Sequence, residues 1–268
     1  MAIVIEAVRL GPGASGWFTG RDRDGARRPL GAAGNLSHRR PHRPVDLAAD
    51  RAAVGAATGT DPTRWHLMQQ VHGAQVGVVH AGTPPGAELP AVDAIVTREP
   101  DRPLGVQVAD CVPVLLAGDT AVGAVHVGRR GLAAGVVAAA LMALERMGVP
   151  AAGLAAAIGP AIGGCCYELP RQLRDEVVAA LPVAVADAAA ATTRDGAASI
   201  DLPAAVEAQL VGAGVSVAHH TSGCTRCDPQ HRWFSHRADP QSGRQLGLVV
   251  RPGDLAGDRR EAARGERA

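Results

Sequence analysis

The chain has 268 residues, which suits one large domain or two small ones. Hydrophobic residues make up 47% of it but aromatic ones only 2%, so Ala, Val, Leu and Ile must fill the core. Aromatic stacking platforms for single-stranded nucleic acid are thereby largely excluded. Arginine is the sole strong base: Lys plus Arg totals 27 with no lysine present, against 26 acidic residues, for a net charge of +1. A lysine Schiff base and a phosphate-loop lysine are ruled out, and the balance argues against a surface for nucleic acid.

In chain order, Met1-Ala2-Ile3-Val4-Ile5-Glu6 lacks the basic and cleavable segments of a leader and reads as a strand. Residues 20–44 are rich in Arg, Gly, Pro and His and are expected to be mostly loop. Residues 105–109 and 112–116 read as strand material around a break, and 121–127 as a buried strand. Gly128-Arg129-Arg130-Gly131 follows, then a helix is expected over 132–147 with Gly148 as its stop. The uncharged run 132–144 is too short to span a bilayer. A strand at 154–158, a helical pattern at 171–181, a helix from Asp201 to Leu210 with Pro203 in its first turn, and a strand at 215–218 complete the series. Strands and helices in this order imply an α/β or α+β fold. Residues 251–268 are charged, without apolar periodicity, and are expected to fray. Five cysteines at irregular spacing do not form a disulfide framework, so a reducing cytoplasm is the expected location, with no membrane partner.

Three stretches carry candidate chemistry: Gln69-Gln70-Val71-His72-Gly73, Val108-Ala109-Asp110-Cys111-Val112-Pro113, and Ala124-Val125-His126-Val127-Gly128-Arg129-Arg130-Gly131. Each sets a borderline or soft ligand at a strand end beside Gly or Pro. Two imidazoles and a thiolate fill three corners of a zinc tetrahedron and leave one open. Spacing alone favours a structural role for His72 and His126 and a small buried role for Cys111 over metal ligation. Gly128-Arg129-Arg130-Gly131 joins a strand to a helix, where free amides and two guanidinium groups suit phosphate. A solvated turn is the alternative.

In this order, the three stretches resemble the laccase-domain family, also called the multicopper polyphenol oxidase-like or peptidoglycan editing factor family. Gly34-Asn35-Leu36-Ser37, Val92-Asp93-Ala94-Ile95-Val96-Thr97, Ile158-Gly159-Pro160-Ala161-Ile162-Gly163 and Tyr167-Glu168 are similar to further family motifs. So are Ile200-Asp201-Leu202, Cys224-Thr225, Phe234-Ser235-His236-Arg237 and Gly243-Arg244, and the likeness runs from about Trp17 to Val250. The resemblance implies a single domain over residues 1–250, of mixed sheets flanked by helices in α/β/β/α layers. It also implies zinc held by His72, Cys111 and His126, with copper as the alternative metal.

The implied reactions are phosphate-dependent cleavage of adenosine, inosine, guanosine and methylthioadenosine, plus hydrolytic deamination of adenosine. Purine nucleosides and phosphate are the expected partners. Beside the three ligands, Asp93 and Asp110 are candidates for moving protons. Asn35, Arg130, Ser235 and Arg237 are candidates for binding substrate or phosphate. Where the family has His-Ala-Gly-Trp-Arg-Gly, this chain has Val127 for Ala and Arg129 for Trp, and residues 20–34 lack its Gly-Gly-Val-Ser run.

Competing readings are a copper-dependent phenol oxidase, a cysteine hydrolase with Cys111 as nucleophile and His126 as base, and an editing factor for peptidoglycan precursors. A monomer or homodimer is expected. Cys224 and Cys227, followed by His231 and His236, mimic a zinc knuckle, although the resemblance accounts for Cys224, Ser235 and Arg237 as residues near the site. Cys165-Cys166 reads as a pair of small buried side chains.

Overall fold

A computed structural model describes residues 2–11, 13–23 and 30–253. Two sheets carry the core. The first has four antiparallel strands in the order Ile3–Arg9, Ser15–Asp22, Gln245–Val250, Leu104–Val108. The second is mixed and six-stranded, in the order Ser216–His220, Ala155–Ile158, Val112–Ala117, Val122–Val127, Ala94–Thr97, Val76–Val79. Its two outermost pairs are parallel and its inner pairs antiparallel.

Side-chain alternation sorts the apolar residues into layers. Val122 and Ala124 join Phe18, Leu104, Val106 and Leu115 between the sheets. Val125 and Val127, from the same strand, face the helices Val136–Arg146 and Leu202–Gly212 instead. On the far side, helix Pro44–Thr58 brings Val54 against Leu246 and Leu248. The result is the layered α/β/β/α domain that the resemblance implied. Among the described residues, no helix is long and apolar enough to cross a membrane.

Several expectations shift in detail. The helix expected over 132–147 begins earlier, at Arg129, and divides into Arg129–Ala133 and Val136–Arg146. Gly135 makes the break with φ +80, a left-handed backbone that a continuous helix cannot contain. Strand Ser15–Asp22 enters the stretch expected to be loop, because its backbone ladders on both neighbours outweigh its composition. Helix Pro44–Thr58 has a thin apolar face, and Pro44 in its first turn and Gly59 at φ +67 beyond its end are its clearest sequence signs. Helix Leu202–Gly212 starts as expected, with Asp201 Oδ1 accepting the Ala204 amide at 3.0 Å. The backbone of residues 251–253 is tied down by Asp101 N–H donating to Arg251 O and Gly253 N–H donating to Asp101 Oδ1. From residue 254 the expected tail lies outside the described residues.

Candidate metal centre

Cys111 sits in the tight turn where the chain leaves one sheet, at Val108, and enters the other, at Val112. The preceding residue, Asp110, has φ +88, a conformation a non-glycine residue keeps only when its surroundings over-determine it. They do so here. Asp110 Oδ1 accepts Thr225 Oγ1–H at 2.6 Å, Oδ2 accepts the Arg237 amide at 2.6 Å, and the carbonyl accepts the Ile162 amide at 2.9 Å. Both carboxylate oxygens of this candidate proton carrier are therefore engaged.

Asp93 organises the other two donors. It is fully buried just before strand Ala94–Thr97, and its Oδ1 accepts His126 Nδ1–H at 2.7 Å. The same carboxylate accepts the backbone amides of Val71 (3.2 Å), His72 (2.9 Å) and Gly73 (2.7 Å). His72 has φ +62, so one buried carboxylate holds a strained loop and a histidine ring together. Burial pushes the Asp93 carboxyl up, but His126 and the amides outweigh it and hold the group below the usual carboxylate range. With Nδ1–H directed at Asp93, His126 Nε2 is left as its ligating nitrogen.

His72 Nε2 lies 3.8 Å from Cys111 Sγ, and one ligand atom from each of His72, Cys111 and His126 falls within 4.8 Å of the others. Zinc bond lengths to nitrogen and sulfur place two such donors roughly 3.6 Å apart on a tetrahedral ion. The imidazole rings meet edge to face, with centroids 4.8 Å apart. Gly128 makes room for them, because a Cβ there would stand 2.7 Å from His72 Cδ2 and 3.2 Å from Cys111 Sγ. Burial pushes the Cys111 thiol up, yet His126 and His72 bring it down to about 6. Burial likewise lowers His126, while the Cys111 thiolate and Asp93 raise it to about 9. Donor types, separations and a thiolate ready near neutral pH fit a zinc-like ion held by these three residues.

Two hollows flank the trio, and His72, Cys111 and His236 border both. One, of about 350 Å³, is further lined by Arg129, Arg130, Tyr167 and Arg237. Arg129, in place of the family's Trp, lines this hollow together with Tyr167. The guanidinium of Arg237 lies over the Tyr167 ring, with Cζ 5.1 Å from its centroid. The other hollow, of about 270 Å³, is lined by Arg39, Arg40, Gln70, Gln107 and Arg244.

The structure thus brings Arg130 and Arg237 to the trio. Asn35 and Ser235 are buried nearby without lining either hollow. Asn35 accepts the Ser37 and Arg244 amides and so sets the backbone from which Arg244 projects. Ser235 Oγ accepts the Ala238 amide. His236, Arg244 and Gln70 join the site although the sequence assigned them no role there. The signal was present, since each stands inside or beside a quoted motif. The knuckle reading does not hold: Cys224 and Cys227 group with Cys165 and Cys166, while His236 faces the hollows.

A layered α/β/β/α domain that gathers two imidazoles and a thiol between arginine-lined hollows defines a class of single-domain protein with a candidate metal centre. The family model described as multi-copper polyphenol oxidoreductase laccase matches residues 16–252, and the chain belongs to that family. It is 41% identical over 208 residues to a purine nucleoside phosphorylase of Streptomyces griseus, covering 77% of this chain and 82% of the relative. A purine nucleoside phosphorylase of Streptomyces coelicolor is 43% identical over 210 residues, covering 77% and 83%. Among solved structures, hypothetical protein YfiH of Bacillus licheniformis superposes with a TM-score of 0.78 at 28% identity, covering 88% of this chain and 92% of that one. YlmD of Geobacillus stearothermophilus gives 0.77 at 28% identity, covering 90% and 93%.

Proposed function

We propose that the chain is a zinc-dependent purine nucleoside phosphorylase acting on adenosine, inosine, guanosine and methylthioadenosine, with adenosine deamination as a side activity. The observation that carries this reading is the position of His72, Cys111 and His126 between two hollows rich in arginine. Relatives about 40% identical that bear the phosphorylase name point the same way.

His72, Cys111 and His126 would hold the zinc, which when bound would supply Lewis-acid polarisation of an oxygen of phosphate or water. Arg129, Arg130 and Arg237 receive the phosphate and orient it for attack on the sugar carbon that releases the base. The nucleoside lies across Cys111 into the second hollow, where Gln70 and Arg244 meet its polar edges. Asp93 keeps His126 in the ligating tautomer, and Asp110 holds the turn that presents Cys111. We assign the proton to His236. Its Nδ1–H donates to Pro240 O at 3.2 Å, which leaves Nε2 free to take up or deliver a proton at the departing base. The enzyme works in a reducing cytoplasm, as monomer or homodimer.

Copper oxidation of phenols is less well supported. A trinuclear copper cluster needs several more imidazoles, and the two groups of potential ligands among the described residues contain only His72 and His126. The decisive experiment incubates a nucleoside panel with and without phosphate and resolves free base from deaminated nucleoside. Free base and ribose 1-phosphate, formed only with phosphate and lost in His72→Ala, are expected. Absence of phosphate-dependent base release from every purine nucleoside would overturn the proposal.

A further inference from the structure

A second group of potential ligands lies outside the machinery described above. Four of the five cysteines, Cys165, Cys166, Cys224 and Cys227, converge so that their sulfurs all fall within 4.8 Å of one another. Cys165 Sγ is 3.8 Å from both Cys166 Sγ and Cys227 Sγ. A disulfide would require about 2.05 Å, and none of the four is so bonded. Four thiolates on a tetrahedral zinc, each at about 2.3 Å, stand about 3.8 Å apart. A multi-iron cluster distributes its cysteines over separate iron atoms and calls for a wider spread of sulfurs.

The two turns that carry these cysteines are each held by backbone hydrogen bonds, and a parallel bridge between Ala161 and Cys224 joins one to the other. Cys166 N–H and Tyr167 N–H both donate to Gly163 O, and Gly164 N–H donates to Asp201 Oδ2. On the other side, Cys227 N–H donates to Cys224 O, and Thr225 N–H donates to Ala161 O. The sulfurs therefore converge from two fixed supports, and three of the four are only half-buried, within reach of solvent. Arg194 Nη2 lies 3.3 Å from Cys227 Sγ and supplies positive charge beside what would be an anionic tetrathiolate.

We propose that Cys165, Cys166, Cys224 and Cys227 form a structural tetrathiolate site for a single zinc ion. Each metal–sulfur bond forms as a thiol proton leaves to water, with no change of oxidation state. The ion clamps the turn before Tyr167 to the turn containing Thr225, whose hydroxyl holds Asp110. It thereby fixes one wall of the arginine-lined hollow from behind. The assignment stands whatever reaction the first site performs.

Zinc content, measured by mass spectrometry on gel-filtered full-length protein, tests it. Two zinc ions per chain are expected in the wild type, one in Cys224→Ser/Cys227→Ser and one in His72→Ala/Cys111→Ser. In the latter variant, cobalt exchanged for zinc is expected to show the charge-transfer bands of four thiolates. An organomercurial is expected to consume four thiols per zinc released. Should the Cys224→Ser/Cys227→Ser protein fail to fold, the His72→Ala/Cys111→Ser arm decides alone. Absence of zinc and cobalt from that variant would overturn the proposal, as would an intact mass short by two hydrogens that reports a disulfide between the turns.

Discussion

The carboxylate of Asp93 stands 2.7 Å from Nδ1 of His126 while it also accepts three successive amides of the loop bearing His72. Two of the three ligands on separate segments thus depend on one buried side chain. Asp93→Asn retains the shape but removes the charge and part of the accepting capacity. It is expected to weaken zinc binding at the first site by roughly 10–100-fold, the usual effect of losing a partner behind a ligand. Competition with a chromophoric chelator measures this, and an unchanged affinity would count against the assigned role.

Gly128 tests the geometry without touching a ligand. Its φ of −90 is open to any residue, so alanine there strains no backbone. The added methyl instead meets His72 and Cys111. Gly128→Ala is expected to lower zinc affinity at least about tenfold while circular dichroism stays unchanged. Full retention of the ion would show that the rings move aside at little cost.

The pH dependence belongs to metal uptake rather than to folding. Cys111 is depressed from 9.0 to about 6, so its contribution to stability is complete above pH 9 and lost as pH falls through about 6. His126 is raised from 6.5 to about 9, so its contribution is complete below pH 6.5 and lost as pH rises through about 9. The two slopes oppose each other across that window, and the melting temperature of the metal-free chain is expected to stay nearly flat there. A zinc ion bound there as proposed would displace the His126 proton at pH 7 and the Cys111 proton as well below pH 6. Calorimetry in buffers of different ionisation enthalpy is expected to count about one proton released from this pair at neutral pH and about two in acid.

The arginines of the larger site hollow are assigned to phosphate rather than to the nucleoside. Arg130→Ala and Arg237→Ala each remove a charged partner for an anion, worth about 1.5–3 kcal/mol. The Michaelis constant for phosphate is expected to rise roughly 10–100-fold, with a smaller change for the nucleoside. Equal effects on both constants would place phosphate elsewhere.

A stability prediction comes from the space between the sheets. A Cβ on Gly159 would lie 2.4 Å from the fully buried ring of Phe18. Gly159→Ala is expected to cost about 1–3 kcal/mol by overpacking, read from denaturant unfolding.

The sequence disclosed much of this, and its gaps have physical causes. Apolar runs separated by Gly and Pro marked the central strands, and Asp201 with Pro203 marked a helix start, because both signals are local. His72, Cys111 and His126 could be grouped only through whole motifs, since nothing in their spacing brings distant strand ends together. The four-fold engagement of Asp93 was invisible, as three of its partners are main-chain amides of a loop whose shape exists only in the folded chain. The same holds for the sulfurs. Cys165-Cys166 reads as a pair of small side chains and Cys224–Cys227 as part of a knuckle completed by histidines, and the two meet because Ala161 and Cys224 are bridged in parallel by the tertiary fold.

His72, Cys111 and His236 form a shared rim between the two hollows. A designed inhibitor can exploit that rim: an anionic head joined by a short tether to a planar heterocycle would occupy both compartments at once. Tethering turns the second encounter into an intramolecular one, so such a molecule would outbind the untethered halves well beyond the affinity of either alone. It would also need a bend at the sulfur.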